Sequence, residues 1–126
     1  MAMDYDVHTD KLTAKLFRFL ERAAAEGKLV TYEEMGDLVD MMPNRKPFTY
    51  RLGAISRHTW GKYGVVLTSI VVKKHTGVPS DPFFEFVNSL PEMYLITDRA
   101  EALERWAQQM REAHKHYRKD PEVPVN

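Results

Sequence analysis

Seven basic side chains form the largest group of residues in this chain that could do chemistry. They fall between Asp40 and Asp81, in a stretch that contains no acidic residue. Lysine and arginine in such number can neutralise phosphate groups, so the stretch predicts a surface that binds a polyanion. The alternative is a solvated face that only balances the acidic ends of the fold. This basic block comprises Arg45, Lys46, Arg51, Arg57, Lys62, Lys73 and Lys74.

The net charge of the whole chain hides this block. Residues 1–40 carry a net charge of −4, residues 41–80 carry +7 and residues 81–126 carry −3, which sum to zero. The chain is therefore strongly polarised along its sequence. The acidic ends would repel a polyanion unless they lie away from the basic block.

No constellation of catalytic residues accompanies the basic block. Ser80, Asp81 and His75 supply the residue types of a hydrolase triad, but no nucleophile elbow surrounds the serine. His114 and His116 lie too close together on a predicted helix to point the same way, and no third metal ligand follows. The chain has no cysteine, which excludes thiol catalysis and cysteine-based zinc sites. We expect no enzymatic activity, no cofactor and no metal ion.

Length and composition are typical of one globular domain. The chain has 126 residues, of which 44% are hydrophobic and 29% are charged. We expect a single domain over 1–120 and a frayed tail over 121–126, because the C-terminal segment is proline-rich and lacks periodicity. The acidic N-terminus does not resemble a secretory signal, and Val65–Val72, the longest apolar run, is too short to span a bilayer. The expected location is the cytoplasm, with no membrane partner.

Apolar periodicity predicts four helices. The first covers 10–26 and ends at Gly27. The second covers 31–42, where Thr31 and Glu34 have the spacing of a capping box. The third covers 47–59, with Arg51 on its polar side, and a long last helix follows Asp98.

Three apolar runs predict strands between the third and last helices. Val65–Val72 has the composition of a buried strand, and a basic turn over 73–77 follows it. Phe83–Val87 predicts a second strand, although a helical turn is an alternative there. Met93–Thr97 is a third short run. The predicted core comprises Leu16, Phe19, Leu20, Met35, Leu38, Val39, Leu52, Ile55, Val66, Ile70, Leu103 and Trp106.

The order of these elements is that of a winged helix-turn-helix. Two short helices joined by a proline-containing turn form the helix-turn-helix, and the second of them is basic. A strand, a basic turn and another strand would form the wing. The predicted fold class is therefore α+β, a winged helix-turn-helix-like domain with a long C-terminal helix.

The run over residues 29–79 resembles the DNA-binding domain of the O6-alkylguanine alkyltransferases and alkyltransferase-like proteins. Val30-Thr31-Tyr32 matches the entry to that family's helix-turn-helix, Arg51 and Gly53 match the arginine and glycine of its second helix, and the turn ends at Gly77. In the family the tyrosine helps rotate a nucleotide out of the duplex and the arginine fills its place. The resemblance implies these roles for Tyr32 and Arg51.

The family's active-site signature, Pro-Cys-His-Arg or its cysteine-free variants, is absent. The nearest stretch is Leu67-Thr68-Ser69-Ile70, and the absence of the signature excludes alkyl transfer.

We expect a non-enzymatic protein that binds duplex DNA. One alternative is a module that docks an acidic protein partner through the same basic face, and another is an enzyme of a modification system. The candidate nucleic-acid contacts are Tyr32, Arg45, Lys46, Arg51, Arg57, Lys73 and Lys74.

Overall fold

The fold is mostly helical and carries a small parallel sheet, as a computed structural model shows. The structure describes residues 5–90 and 98–118. The elements in chain order are α1 (Lys11–Ala25), β1 (Val30–Thr31), α2 (Tyr32–Leu38), α3 (Lys46–Tyr63), a 3-10 helix (Leu67–Ile70), β2 (Val71–Val72), α4 (Asp81–Asn88) and α5 (Arg99–Tyr117). This is the α+β class predicted from the sequence.

The start and end of α1 follow from local side chains. Asp10 caps the helix by accepting a hydrogen bond from the backbone N–H of Thr13 at 2.9 Å. Gly27 follows the helix with a φ of 69°, a conformation that costs little energy only for glycine. The N–H of Lys28 then bonds to the carbonyl of Ala23 at 2.9 Å and closes the end of the helix. The predicted helix is confirmed.

The helix pair α2–α3 is present, with different bounds from those predicted. The capping box at the start of α2 is confirmed. The carboxylate of Glu34 accepts from the backbone N–H of Thr31 at 2.7 Å, and the hydroxyl of Thr31 accepts from the backbone N–H of Glu34 at 3.1 Å. However, α2 ends at Leu38, because Asp40 takes a φ of 55° and turns the chain. Helix α3 starts at Lys46 and continues past its predicted end to Tyr63.

The prediction of a strand over Val65–Val72 is wrong for most of its length. All eight residues are buried, as a strand between two layers would be, but Leu67–Ile70 form a 3-10 helix. Only Val71–Val72 are extended, and they pair in parallel with Val30–Thr31. The hydroxyl of Thr59 accepts a hydrogen bond from the N–H of Leu67 at 3.2 Å, which satisfies part of this buried backbone.

The predicted second strand, over Phe83–Val87, is also wrong, and the helical alternative is confirmed. Residues 81–88 form α4, with Pro82 in its first turn. Among the described residues, the basic turn therefore leads into a helix and not into the returning strand of a wing. The third predicted strand, Met93–Thr97, and the predicted frayed tail lie outside the described residues.

The core lies between α1, α3, α5 and the 3-10 helix. Of the residues predicted to form it, Leu16, Leu20, Met35, Val39, Leu52, Ile55, Val66 and Ile70 are buried, and Phe19, Leu38, Leu103 and Trp106 are partly buried. The indole N–H of Trp106 donates to the carbonyl of Ser69 at 2.7 Å and fixes α5 to the 3-10 helix. In the part of the chain that is described, no helix has the length and apolarity needed to cross a membrane.

Candidate nucleic-acid interface

A cleft of about 1140 Å³ opens between α2, α3 and α4. Its borders come from four separate stretches of sequence: Tyr5 before α1, the helix pair, Thr68 with Lys73, and α4 with the preceding Ser80. The short loops around the parallel β1–β2 pair bring these stretches together. Six aromatic side chains line the cleft: Tyr5, Tyr32, Phe48, Tyr50, Phe83 and Phe86.

The cleft brings together two cations from distant positions in the basic block. Arg57 on α3 and Lys73 after β2 line it directly, although 16 positions separate them in the sequence. Asn44 also lines the cleft, and Arg45 and Lys46 follow it at the start of α3. Lys74 follows Lys73. We call these five exposed cations the basic rim: Arg45, Lys46, Arg57, Lys73 and Lys74.

The basic rim is free of ion pairs within the described residues. The two salt bridges found there join Lys28 to Glu26 and Arg51 to Asp10, and neither involves the rim. Unpaired lysine and arginine side chains at a protein surface can exchange their counterions for phosphates. Two exposed carboxylates, Glu33 and Glu85, also line the cleft, so its charge is mixed.

Tyr32 lies at the border of the cleft with its hydroxyl already engaged. Its oxygen accepts hydrogen bonds from the backbone N–H of Ser80 at 2.9 Å and from the Ser80 hydroxyl at 3.1 Å. Burial of the ring raises the pKa of Tyr32 above its ordinary value, so the phenol stays protonated. The contact links α2 to the start of α4 and closes one side of the cleft.

Arg51 is not on the polar side of α3, where the helical spacing placed it. The residue is only 8% exposed, and its Nε donates to the Oδ2 of Asp10 at 2.8 Å. A second nitrogen donates to the carbonyl of Pro47 at 3.0 Å. The predicted exposure of Arg51 is therefore wrong, and its guanidinium connects α3 to the start of α1.

The basic turn is a compact surface loop. The N–H of Lys73 bonds to the carbonyl of Val78 at 2.8 Å, and the N–H of Gly77 bonds to the carbonyl of Lys73 at 2.9 Å. Lys73, Lys74 and His75 are exposed. These hydrogen bonds hold the backbone of the loop, so that its lysines project beside the cleft without a wing hairpin.

The cleft wall includes two hydroxyl groups that the sequence did not single out. The hydroxyls of Ser56 and Thr68 form a short, buried hydrogen bond between α3 and the 3-10 helix. Ser56 also donates to the carbonyl of Leu52 at 2.9 Å. Both hydroxyls are buried, and the hydrogen bonds that they make within the described residues tie α3 to the 3-10 helix, as a structural contact does.

Several residues of the cleft could not be recognised from sequence. Tyr5 lies before α1, and Phe83 and Phe86 lie on a segment predicted to be extended. In a strand these two phenylalanines would be on opposite faces, whereas a helix puts them three positions apart on one face. The dipeptide Asp81-Pro82, which suits a helix start, was the available signal.

No cluster of three or more metal-ligating side chains occurs in residues 5–90 and 98–118. Ser80 directs its hydroxyl to Tyr32, and His75 is exposed in the basic turn. Comparison of the chain with protein-family models, with curated proteins and with solved structures found no match. The geometry and charge of the cleft are therefore the features that indicate a function.

Proposed function

We propose that this chain is a small, non-enzymatic nucleic-acid-binding protein that holds the phosphates of duplex DNA with the basic rim. The observation that carries the proposal is the convergence of the rim at one cleft: Arg57 and Lys73 line it, and Arg45, Lys46 and Lys74 adjoin its lining residues. Phosphate contacts of this kind supply most of the affinity of non-specific binding.

The helix pair α2–α3 serves as the helix-turn-helix of this proposal. The basic rim occupies the start and the outer side of α3, and the turn after β2 takes the place of a wing. Arg51 contributes from within, since its ion pair with Asp10 fixes α3 against α1. Tyr32 likewise shapes the cleft through its hydrogen bonds to Ser80.

The salt dependence of binding tests the proposal. If all five rim cations contact the phosphates of a duplex, a plot of log affinity against log salt concentration has a slope of about −4.5. The affinity then drops by roughly two to three orders of magnitude between 50 and 200 mM salt. Fewer contacts give a shallower slope. Fluorescence anisotropy with a labelled mixed-sequence duplex measures both the affinity and the slope.

Charge-matched variants identify the residues responsible. We expect Arg57→Ala to reduce the slope by about one and the double change Lys73→Ala, Lys74→Ala by about two. The matched control is the double change Arg111→Ala, Lys115→Ala, which removes two exposed cations from α5 and should leave the slope unchanged. An unchanged slope in the Lys73–Lys74 variant would remove the basic turn from the interface.

The same titration separates the proposal from its alternative. Folded protein that binds neither the duplex nor a single strand at 50 mM salt would contradict nucleic-acid binding. The basic rim would then be the docking site for an acidic protein partner, which needs the same unpaired cations.

A further inference from the structure

Three aromatic rings at the cleft are available to a ligand. Phe48 and Phe83 are 1% and 7% exposed, so they belong to the core and cannot present a face. Tyr32 is held by Ser80. The remaining rings are Tyr5, Tyr50 and Phe86, and Tyr50 is 50% exposed although it is a large aromatic residue.

Buried contacts hold the first of these rings in position. The guanidinium carbon of Arg51 lies 4.2 Å from the centroid of the Tyr5 ring, a cation–π contact. Arg51 is itself fixed by the carboxylate of Asp10 at 2.8 Å. The ring of Tyr5 lies 6.3 Å from that of Tyr50, with an angle of 37° between their planes. The two tyrosines thus form an aromatic platform at the cleft, in which the ring of Tyr5 is held by Arg51.

Cations lie beside this platform. Arg57 lines the same cleft. Its side chain runs back along α3, where one guanidinium nitrogen lies 3.4 Å from the point that a Cβ on Gly53 would occupy. Lys73 reaches the cleft from β2. Aromatic rings for stacking, together with cations for the backbone, are the features with which proteins bind single-stranded nucleic acid.

We propose that the cleft binds unpaired bases of single-stranded nucleic acid, with Tyr50 and Tyr5 as the stacking platform. This inference rests on the proposed function, since the same basic rim must hold the phosphates. A paired base within a duplex has both faces covered by its neighbours, so it cannot stack on these rings. Glu33 and Glu85 suit this assignment, because carboxylates accept hydrogen bonds from the amino groups of bases and repel phosphates.

Charge alone and base stacking predict opposite preferences. A protein that reads only phosphate charge prefers a duplex, because its charge density and counterion release per contact are higher. A protein that stacks bases prefers the single strand. The test therefore uses three labelled 12-mers at 50 mM salt: a mixed-sequence single strand, its blunt duplex, and a single strand in which abasic sites replace the bases.

We expect the base-bearing strand to bind roughly tenfold tighter than the abasic strand, and tighter than the duplex. Equal affinities for the base-bearing and abasic strands would overturn the inference. If the duplex then still binds through the basic rim, the proposed function stands without it. If none of the three binds, both proposals fail.

Variants of Tyr50 locate the effect. Tyr50→Ala should weaken the base-bearing strand about tenfold and leave the abasic strand and the salt slope unchanged. Tyr50→Phe, which keeps the ring, should retain the affinity. The matched control is Tyr63→Ala, because Tyr63 is 40% exposed on the same helix but does not line the cleft. The centroid of its ring lies 4.4 Å from that of His116. A loss that is equal for both strands, or equal in Tyr50→Phe and Tyr50→Ala, would overturn the stacking role.

Discussion

The carboxylate of Asp10 makes two structural contacts. It caps α1 through the N–H and the hydroxyl of Thr13, and it holds the buried guanidinium of Arg51. The sequence predicted a helix that begins at this position, but the pairing with Arg51 joins positions 41 residues apart. Such a contact depends on how α1 and α3 pack, which helical periodicity does not encode.

This carboxylate gives the protein an acid-sensitive contact. The hydrogen bond from Arg51 lowers the pKa of Asp10 from 3.8 to about 2. Because the folded pKa lies below the unfolded one, the ion pair stabilises the fold above about pH 4, and this contribution is lost as the pH falls towards 2. We expect Asp10→Asn to lower the free energy of unfolding at pH 7 by about 2 kcal/mol, with a difference that shrinks below pH 4.

Urea unfolding of both proteins at pH 7, 4, 3 and 2 measures this difference. The control is Glu26→Gln, which breaks an ion pair that is largely exposed to solvent and should leave stability unchanged at every pH. A difference between wild type and Asp10→Asn that stays constant down to pH 2 would contradict the role given to the Asp10–Arg51 pair.

Among the elements, α1, α2, α3 and α5 were predicted as helices, whereas α4 and most of the run over Val65–Val72 were predicted as strands. Caps and apolar stripes predicted α1, α2 and α3, because each of these signals acts within one or two turns. The run Val65–Val72 is uniformly apolar apart from Thr68 and Ser69, so it lacks a period that distinguishes a buried strand from a buried helix. Its burial was predictable, whereas its 3-10 conformation depends on neighbours such as Thr59.

The turn between α2 and α3 depends on one glycine. A Cβ added to Gly36 would lie 2.5 Å from the carbonyl oxygen of Met41 and 3.0 Å from the Cγ of Pro43. Both contacts involve backbone or a rigid ring, so the turn would have to move. We expect Gly36→Ala to destabilise the protein by about 1–3 kcal/mol, the usual cost of overpacking.

Gly61 provides the matched control on α3. A Cβ at this position meets no atom within 4 Å. Since alanine is the better helix former, Gly61→Ala should stabilise the protein by up to about 1 kcal/mol. Thermal or urea unfolding of the two variants checks the prediction. Equal effects, or a Gly36→Ala variant as stable as wild type, would contradict the close packing of the turn.

In the whole molecule, the fold brings cations that are distant in the sequence to the same cleft. The basic block spans 41–80, and the sequence indicated that its cations could act together. The parallel pairing of β1 with β2 explains why Lys73 reaches the cleft lined by Arg57. The aromatic platform was not predictable, because the ring of Tyr5 is held by a long-range contact with Arg51. Arg51 is in turn held by its ion pair with Asp10.

One surface, the cleft and its basic rim, binds nucleic acid in this proposal. A titration of ¹⁵N-labelled protein with an unlabelled mixed-sequence 12-mer oligonucleotide, followed by the amide chemical shifts, locates that surface. We expect the largest changes in 43–57, 68–74 and 80–86, while the amides of α1 and α5 change little. The absence of changes at low salt, or changes centred on α1 and α5, would contradict it.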